Sequence, residues 1–273
     1  MNAHELFGVG YLMVISYTPM KVGSEFAASL FRNLGFTVSH EHQVESVNRV
    51  INTAVRNHQS CLLVTSVRNP FRQQVSALLQ YGVSHTASSI NNMSLARNYT
   101  TLADMLHKRL ALCHCHKSLP HTHISMCAAT TKRVRPDNIA YHCNMQFFSE
   151  SFLRVSGLNI RTLAPQIVKH HYALNITTNT RLQRCSVLVL RLEDAEEWPA
   201  IICNLFNHTC LSSGSTHVNP VNNRSSSFWL FQSIKWTRDE VKLLMNSDMS
   251  SFYSEAERAK FLVHPGILEG AQQ

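Results

Sequence analysis

Three groups of residues in this 273-residue chain have the types and spacing that chemistry requires. Lys21, Gly23 and Ser24 open what reads as a helix, directly after an apolar run. A helix N-terminus presents unpaired N–H groups and a partial positive charge. The lysine adds a full charge, the serine adds a hydroxyl donor, and the glycine lets the backbone approach a ligand, which together make an anion cradle. The usual triphosphate loop, Gly-x-x-x-x-Gly-Lys-Ser/Thr, is absent. Arg68 ends a later apolar run, Asn69-Pro70 turns the chain, and Ser76 follows eight residues after Arg68. A guanidinium can fork onto a phosphate and a serine hydroxyl can add a bond. His40 and His42 are the third group. Alternation in an extended segment turns both to one side, with Glu41 opposite. Histidine titrates where a general base must, and Glu25 and Glu41 are lesser candidates for that role.

The elements that must position these residues follow from hydrophobic period. Tyr11–Ser16 reads as a strand and Val22–Leu34 as a helix with Phe26, Leu30 and Leu34 at spacing four, stopped by Gly35. Phe36–His40 is a second strand, Val44–Val55 a helix, Cys61–Val67 a strand apolar throughout, and Phe71–Tyr81 a helix. Strand and helix in alternation imply an α/β fold, a central mostly parallel sheet covered on both sides, in three α/β/α layers. Further along, residues 83–100 read as a loop, Leu102–Leu112 as a helix, His114–Arg135 as irregular, and Asp137–Ser156 as a long helix. Ser186–Leu192 reads as another buried strand, and Ala195–Phe206 as a helix with Pro199 in its first turn. Residues 207–227, rich in Asn, Ser and Gly, read as a mobile loop. Capping-box patterns, Thr237 with Glu240 and Ser254 with Glu257, announce two closing helices. The chain reads as one domain over 1–273, with an irregular insertion at about 113–135.

Composition narrows the partners. A formal net charge of +8 and a pI near 9.2 favour anionic ligands. No apolar run is long enough to cross a bilayer, and the aromatic–basic interleaving of nucleic-acid readers is missing. Neither a transmembrane segment nor a nucleic-acid partner is therefore expected. Eight cysteines do not suggest a disulfide-dense scaffold. The stretch LCHCHKSLPHTHISMC gathers Cys113, His114, Cys115, His116, His121, His123 and Cys127, but its alternation departs from the Cys-x₂₋₄-Cys of structural zinc sites, and no metal is expected. The sequons at Asn92, Asn98, Asn175, Asn207 and Asn223 are near chance in a chain this rich in Asn, Ser and Thr. The expected compartment is the cytoplasm, or the Golgi lumen if an N-terminal anchor precedes this sequence.

The pairing of MKVGS after one strand with VRNPFRQQVS after another resembles the sulfotransferase superfamily. Most similar are the sulfotransferase-like proteins assigned to capsular polysaccharide synthesis. VSHEH, FFSESFLRVSGLNI, LVLRLEDAEEW and FYSEAERAKFL extend the resemblance, in order, over most of Gly10–Leu262. The resemblance implies a P-loop-like sulfotransferase fold and the donor 3′-phosphoadenosine 5′-phosphosulfate. Lys21, Val22, Gly23 and Ser24 would hold the 5′-phosphosulfate, with Lys21 also stabilising the transition state. Arg68 and Ser76 would hold the 3′-phosphate. Some glycosaminoglycan 2-O-sulfotransferases are similar in carrying His-x-His after the second strand, which implies His42 as base with His40 as support or second candidate. The acceptor would be a hydroxyl of a polysaccharide or other glycan. Gln73 stands where many members have arginine, and NNRSSSFW at 222–229 departs from the later signature. Those departures motivate the alternative of a catalytically inactive nucleotide- or glycan-binding protein of the same fold. Arg191, Glu193 and Asp194 either orient the site or simply favour the next helix N-terminus.

Overall fold

The computed structural model describes residues 12–19, 23–78, 99–118, 145–176, 185–206 and 226–262. These divide into two compact units, one within Met1–Arg68, Gln146–Pro220 and Ser251–Tyr253, the other within Asn69–Met145, Val221–Ser250 and Ser254–Gln273.

The first unit is an α/β fold around a five-stranded, mostly parallel sheet. Strand β1 is Leu12–Tyr17, followed by helix α1 (Ser24–Asn33), β2 (Thr37–Glu41), α2 (Val44–Arg56) and β3 (Ser60–Val67). The unit continues with a π-helical turn, Phe148–Phe152, running into α5 (Leu153–Ser156), then α6 (Ile160–His170), β4 (Tyr172–Ile176), β5 (Cys185–Arg191), a 3₁₀ turn (Leu192–Asp194) and α7 (Trp198–Phe206). The sheet order is β2-β1-β3-β5-β4, with β4 antiparallel to β5 and the other pairs parallel. Strands β3 and β5 are buried almost throughout, as expected when helices cover a parallel sheet. On one face Val14, Leu62, Val64, Leu188 and Leu190 pack with Ala27 and Phe31 of α1 and with Trp198 and Ile202 of α7. Separately, Tyr17 meets Phe147, which belongs to an aromatic group with Phe148 and Phe152.

The second unit is helical in its described residues. It comprises α3 (Pro70–Ala77), α4 (Tyr99–Ser118), α8 (Ser226–Ser233), α9 (Arg238–Met245) and α10 (Glu255–Leu262). Phe71, Val75, Leu106, Leu110, Leu230 and Trp236 are among its core. Asn69 caps α3 by accepting hydrogen bonds from the Phe71 and Arg72 amides, and Pro70 fills the position where a missing N–H costs nothing. Both closing capping boxes form. Thr237 Oγ1 accepts from the Glu240 amide and Glu240 accepts from the Thr237 amide, and Ser254 and Glu257 do the same.

Several segments differ from the sequence expectation. His114–Ser118 continue α4, so the alternating Cys-His run starts on a helix and not in an irregular insertion. The long helix expected over Asp137–Ser156 is, in its described part, a turn, a π-turn and a short α-helix. Helix α6, strand β4 and helix α8 are additions. Residues 119–135 and 207–225, the latter expected as a loop, lie outside the described residues.

Candidate active site at the carboxyl ends of β1 and β3

Strand β1 sits between β2 and β3. The chain leaves β1 through α1 toward β2, then crosses through α2 to β3 on the other side. The connections therefore diverge between β1 and β3, where open α/β sheets bind ligands outside their carboxyl ends. Ser16 pairs with Val64, so the two strands run out side by side. Beyond β1 come Thr18 and, after an undescribed gap, Gly23 and Ser24. Beyond β3 comes Arg68, which is half-buried. Lys21 and Val22 lie outside the described residues. Ser76 is half-buried on α3, in the second unit.

Gly23 starts α1 with φ +85°, a left-handed conformation that favours glycine. A Cβ there would lie 2.6 Å from Leu192 Cδ1 and 3.3 Å from Trp198 Cη2. The side that a Cβ on Gly23 would occupy is filled by Leu192. The turn is thus moulded on the segment after β5. No side chain caps α1, while Ser16 Oγ donates a long hydrogen bond of 3.4 Å to the Ser24 carbonyl. The opening amides of α1 gain no side-chain acceptor from Gly23, the feature that makes such a terminus suited to an anion.

His40, next to last in β2, lies opposite Ser16, and His42 follows the strand. Their rings lie edge to face with centroids 4.6 Å apart, while Glu41 accepts a hydrogen bond from the Ser39 hydroxyl at 2.7 Å. His40 Nδ1 is 2.7 Å from Glu25 Oε1, and Glu25 Oε2 is 3.6 Å from Arg32 on the same helix. His40 Nε2 and Thr18 Oγ1 are buried with no hydrogen-bond partner among the described residues. His42 is exposed at its surface yet partly enclosed, and its pKa lies below the ordinary histidine value. Crowding of part of the ring is the largest cause and neighbouring His40 the next, while a hydrogen bond with the Thr18 backbone opposes them. His42 is therefore neutral near pH 7, the form that takes up a proton.

Arg191, last in β5, is 5% exposed and lies 2.8 Å from Asp194 Oδ2 and 4.8 Å from the centre of the Tyr253 ring. The Tyr253 hydroxyl donates to Glu193 at 2.5 Å, and Trp198 Nε1 donates to the Arg191 carbonyl at 2.8 Å. Burial, then Glu193, push the Tyr253 pKa well above the tyrosine value, so its hydroxyl remains a donor. This network braces the segment that carries Leu192 and Trp198 against Gly23.

His171, Asp194 and Glu197 bring ligand-type atoms within 4.8 Å of one another. His171 Nδ1 is 3.4 Å from Asp194 and 3.8 Å from Glu197, so the three form a polar cluster beside the Arg191–Asp194 ion pair. Burial is the largest cause and raises the Asp194 pKa, with the Arg191 guanidinium opposing it.

Sequence reasoning missed the Glu25–His40 contact, although the positions of Glu25 in the first turn of α1 and His40 at the end of β2 were its available signal. It also missed a disulfide between Cys61 and Cys185, which lie directly opposite one another on β3 and β5 with Cα atoms 4.5 Å apart. Cys203 is disulfide-bonded as well.

The chain matches no protein-family model, and neither a curated protein nor a solved structure gives a significant match. Among the described residues no helix is long and apolar enough to cross a membrane.

Proposed function

We propose that this protein is a sulfotransferase that moves a sulfuryl group from 3′-phosphoadenosine 5′-phosphosulfate to a carbohydrate hydroxyl. The observation that carries the reading is the adjacency of β1 and β3 at the point where chain connections diverge. The turn opening α1 leaves one strand and Arg68 leaves the other, and the His40–His42 pair lies at the carboxyl end of β2, on the far side of β1. The resemblance drawn from MKVGS and VRNPF supplies the donor and the P-loop-like, three-layer form of the fold.

In this reading Lys21, Val22, Gly23 and Ser24 hold the 5′-phosphosulfate at the amides of α1, and Arg68 takes the 3′-phosphate, a role the resemblance also gives to Ser76. The acceptor oxygen attacks sulfur in line with the departing phosphate oxygen. The new S–O bond forms as the donor S–O bond breaks, and 3′-phosphoadenosine 5′-phosphate leaves with the bonding pair. Lys21 and the helix N-terminus stabilise charge on the transferring and leaving oxygens; losing one such donor costs on the order of 10²–10³ in rate. His42 takes the acceptor proton. Its exposure lets a bulky glycan reach it, and its lowered pKa keeps it neutral.

The test is transfer of labelled sulfate from the donor to a panel of polysaccharides. Incorporation that disappears in Lys21→Ala supports the reading. A wild-type protein that binds the nucleotide and labels no acceptor contradicts it.

A further inference from the structure

At the carboxyl end of β2, four side chains form a chain of contacts. Glu25 stands in the first turn of α1, with Oε1 2.7 Å from His40 Nδ1 and Oε2 3.6 Å from Arg32, so both carboxylate oxygens are engaged. A carboxylate only accepts, so His40 Nδ1 carries the hydrogen and donates it. The bond made by one imidazole nitrogen sets which nitrogen is protonated, which leaves Nε2 of a neutral His40 as the basic one. That atom is buried and has no partner among the described residues. The ring it belongs to meets His42 at 4.6 Å and 68°, and the hydrogen bond with the Thr18 backbone holds His42 as well.

We propose that Glu25 is a positioning residue: it grips His40 at Nδ1, and the ring held in this way backs His42 in the orientation that receives the acceptor proton. This rests on the sulfotransferase reading for the word acceptor, but the grip itself does not. An acid in the first turn of a helix is favourable for the dipole alone. What exceeds that role is the short, directed contact to a ring whose other nitrogen is shut away from water.

Histidine side-chain ¹⁵N NMR on the full chain near pH 8.5 reads the grip directly, using wild type, Glu25→Ala and Glu25→Gln. The expected wild-type signature is a hydrogen on His40 Nδ1. Glu25→Ala moves it to Nε2 and shifts the His42 resonances, and Glu25→Gln, which keeps an acceptor oxygen, retains the wild-type signature. A hydrogen on Nε2 in the wild type, or an unchanged signature in Glu25→Ala, overturns the grip. In sulfate transfer, Glu25→Ala lowers kcat about tenfold, short of the ~10²–10⁴ that loss of a base costs, with the donor KM within about twofold and with recovery in Glu25→Gln. An unchanged kcat overturns the positioning role. Absence of any wild-type transfer overturns the catalytic reading and this role with it, and the NMR result then separately decides whether Glu25 holds His40.

Discussion

Gly23 and Leu192 are in contact at the point where a side chain on Gly23 would begin, 2.6 Å from Leu192 Cδ1. The turn that opens α1 is therefore shaped from behind by the chain leaving β5. Gly23→Ala meets both a positive φ and this contact, and is expected to destabilise the protein by about 2 kcal/mol. Leu192→Ala in the same chain recovers the steric part and leaves about 1 kcal/mol from the left-handed backbone. Urea unfolding of the single and double variants checks both figures, and equal destabilisation in the two backgrounds contradicts the contact.

The Cys61–Cys185 disulfide joins neighbouring strands across a sequence separation of 124 residues. Constraining so long a loop in the unfolded chain is worth ~2–5 kcal/mol. Cys61→Ala/Cys185→Ala is expected to lower the unfolding free energy by that amount in oxidising buffer. Mass spectrometry of the unreduced protein, mapping a peptide pair that contains both cysteines, checks the bond itself.

These two cysteines show where sequence reading stops. Each strand was legible as an apolar run bounded by turns. The bond depends on β3 and β5 being neighbours in register, which no local pattern encodes. Strand β4 was illegible for a related reason. Its five residues, YALNI, alternate too briefly to stand apart from the helix before them, and pairing with β5 stabilises them as a strand. The capping boxes were legible because each closes within four residues. His40 and His42 were legible as a pair because alternation is local, whereas the Glu25 contact needed α1 to lie alongside β2. Gly23 was legible as special, but its neighbour Leu192 is far away in sequence.

His42 supplies a pH dependence whose sign is fixed. Its folded-state pKa lies below the ordinary histidine value, so the unfolded chain binds the proton more readily. The contribution is fully present above about pH 6.5 and is lost as pH falls through the lower folded value. Relative to the wild type, His42→Asn is expected to lose less stability between pH 7 and pH 5. Parallel stability curves for the two proteins in that interval contradict the assignment.

In the second unit Glu240 completes a capping box with Thr237 and also places Oε1 2.6 Å from His107 Nδ1 on α4. Thr237→Ala removes a cap and is expected to cost about 1 kcal/mol. Glu240→Ala loses the return bond and the histidine contact together, and is expected to cost about 2 kcal/mol. Denaturant titration of the two variants ranks them, and a Glu240→Ala loss no larger than that of Thr237→Ala removes His107 from the account.

The central claim is that the turn opening α1 and Arg68 serve one adenosine compound phosphorylated at both ends. Calorimetric titration with 3′-phosphoadenosine 5′-phosphate, beside adenosine 5′-phosphate, measures this most directly. The account predicts saturable binding that prefers the doubly phosphorylated nucleotide, with Arg68→Ala erasing the preference and Lys21→Ala weakening both ligands. No binding by the wild type at millimolar nucleotide, or equal affinity for the two compounds, contradicts it.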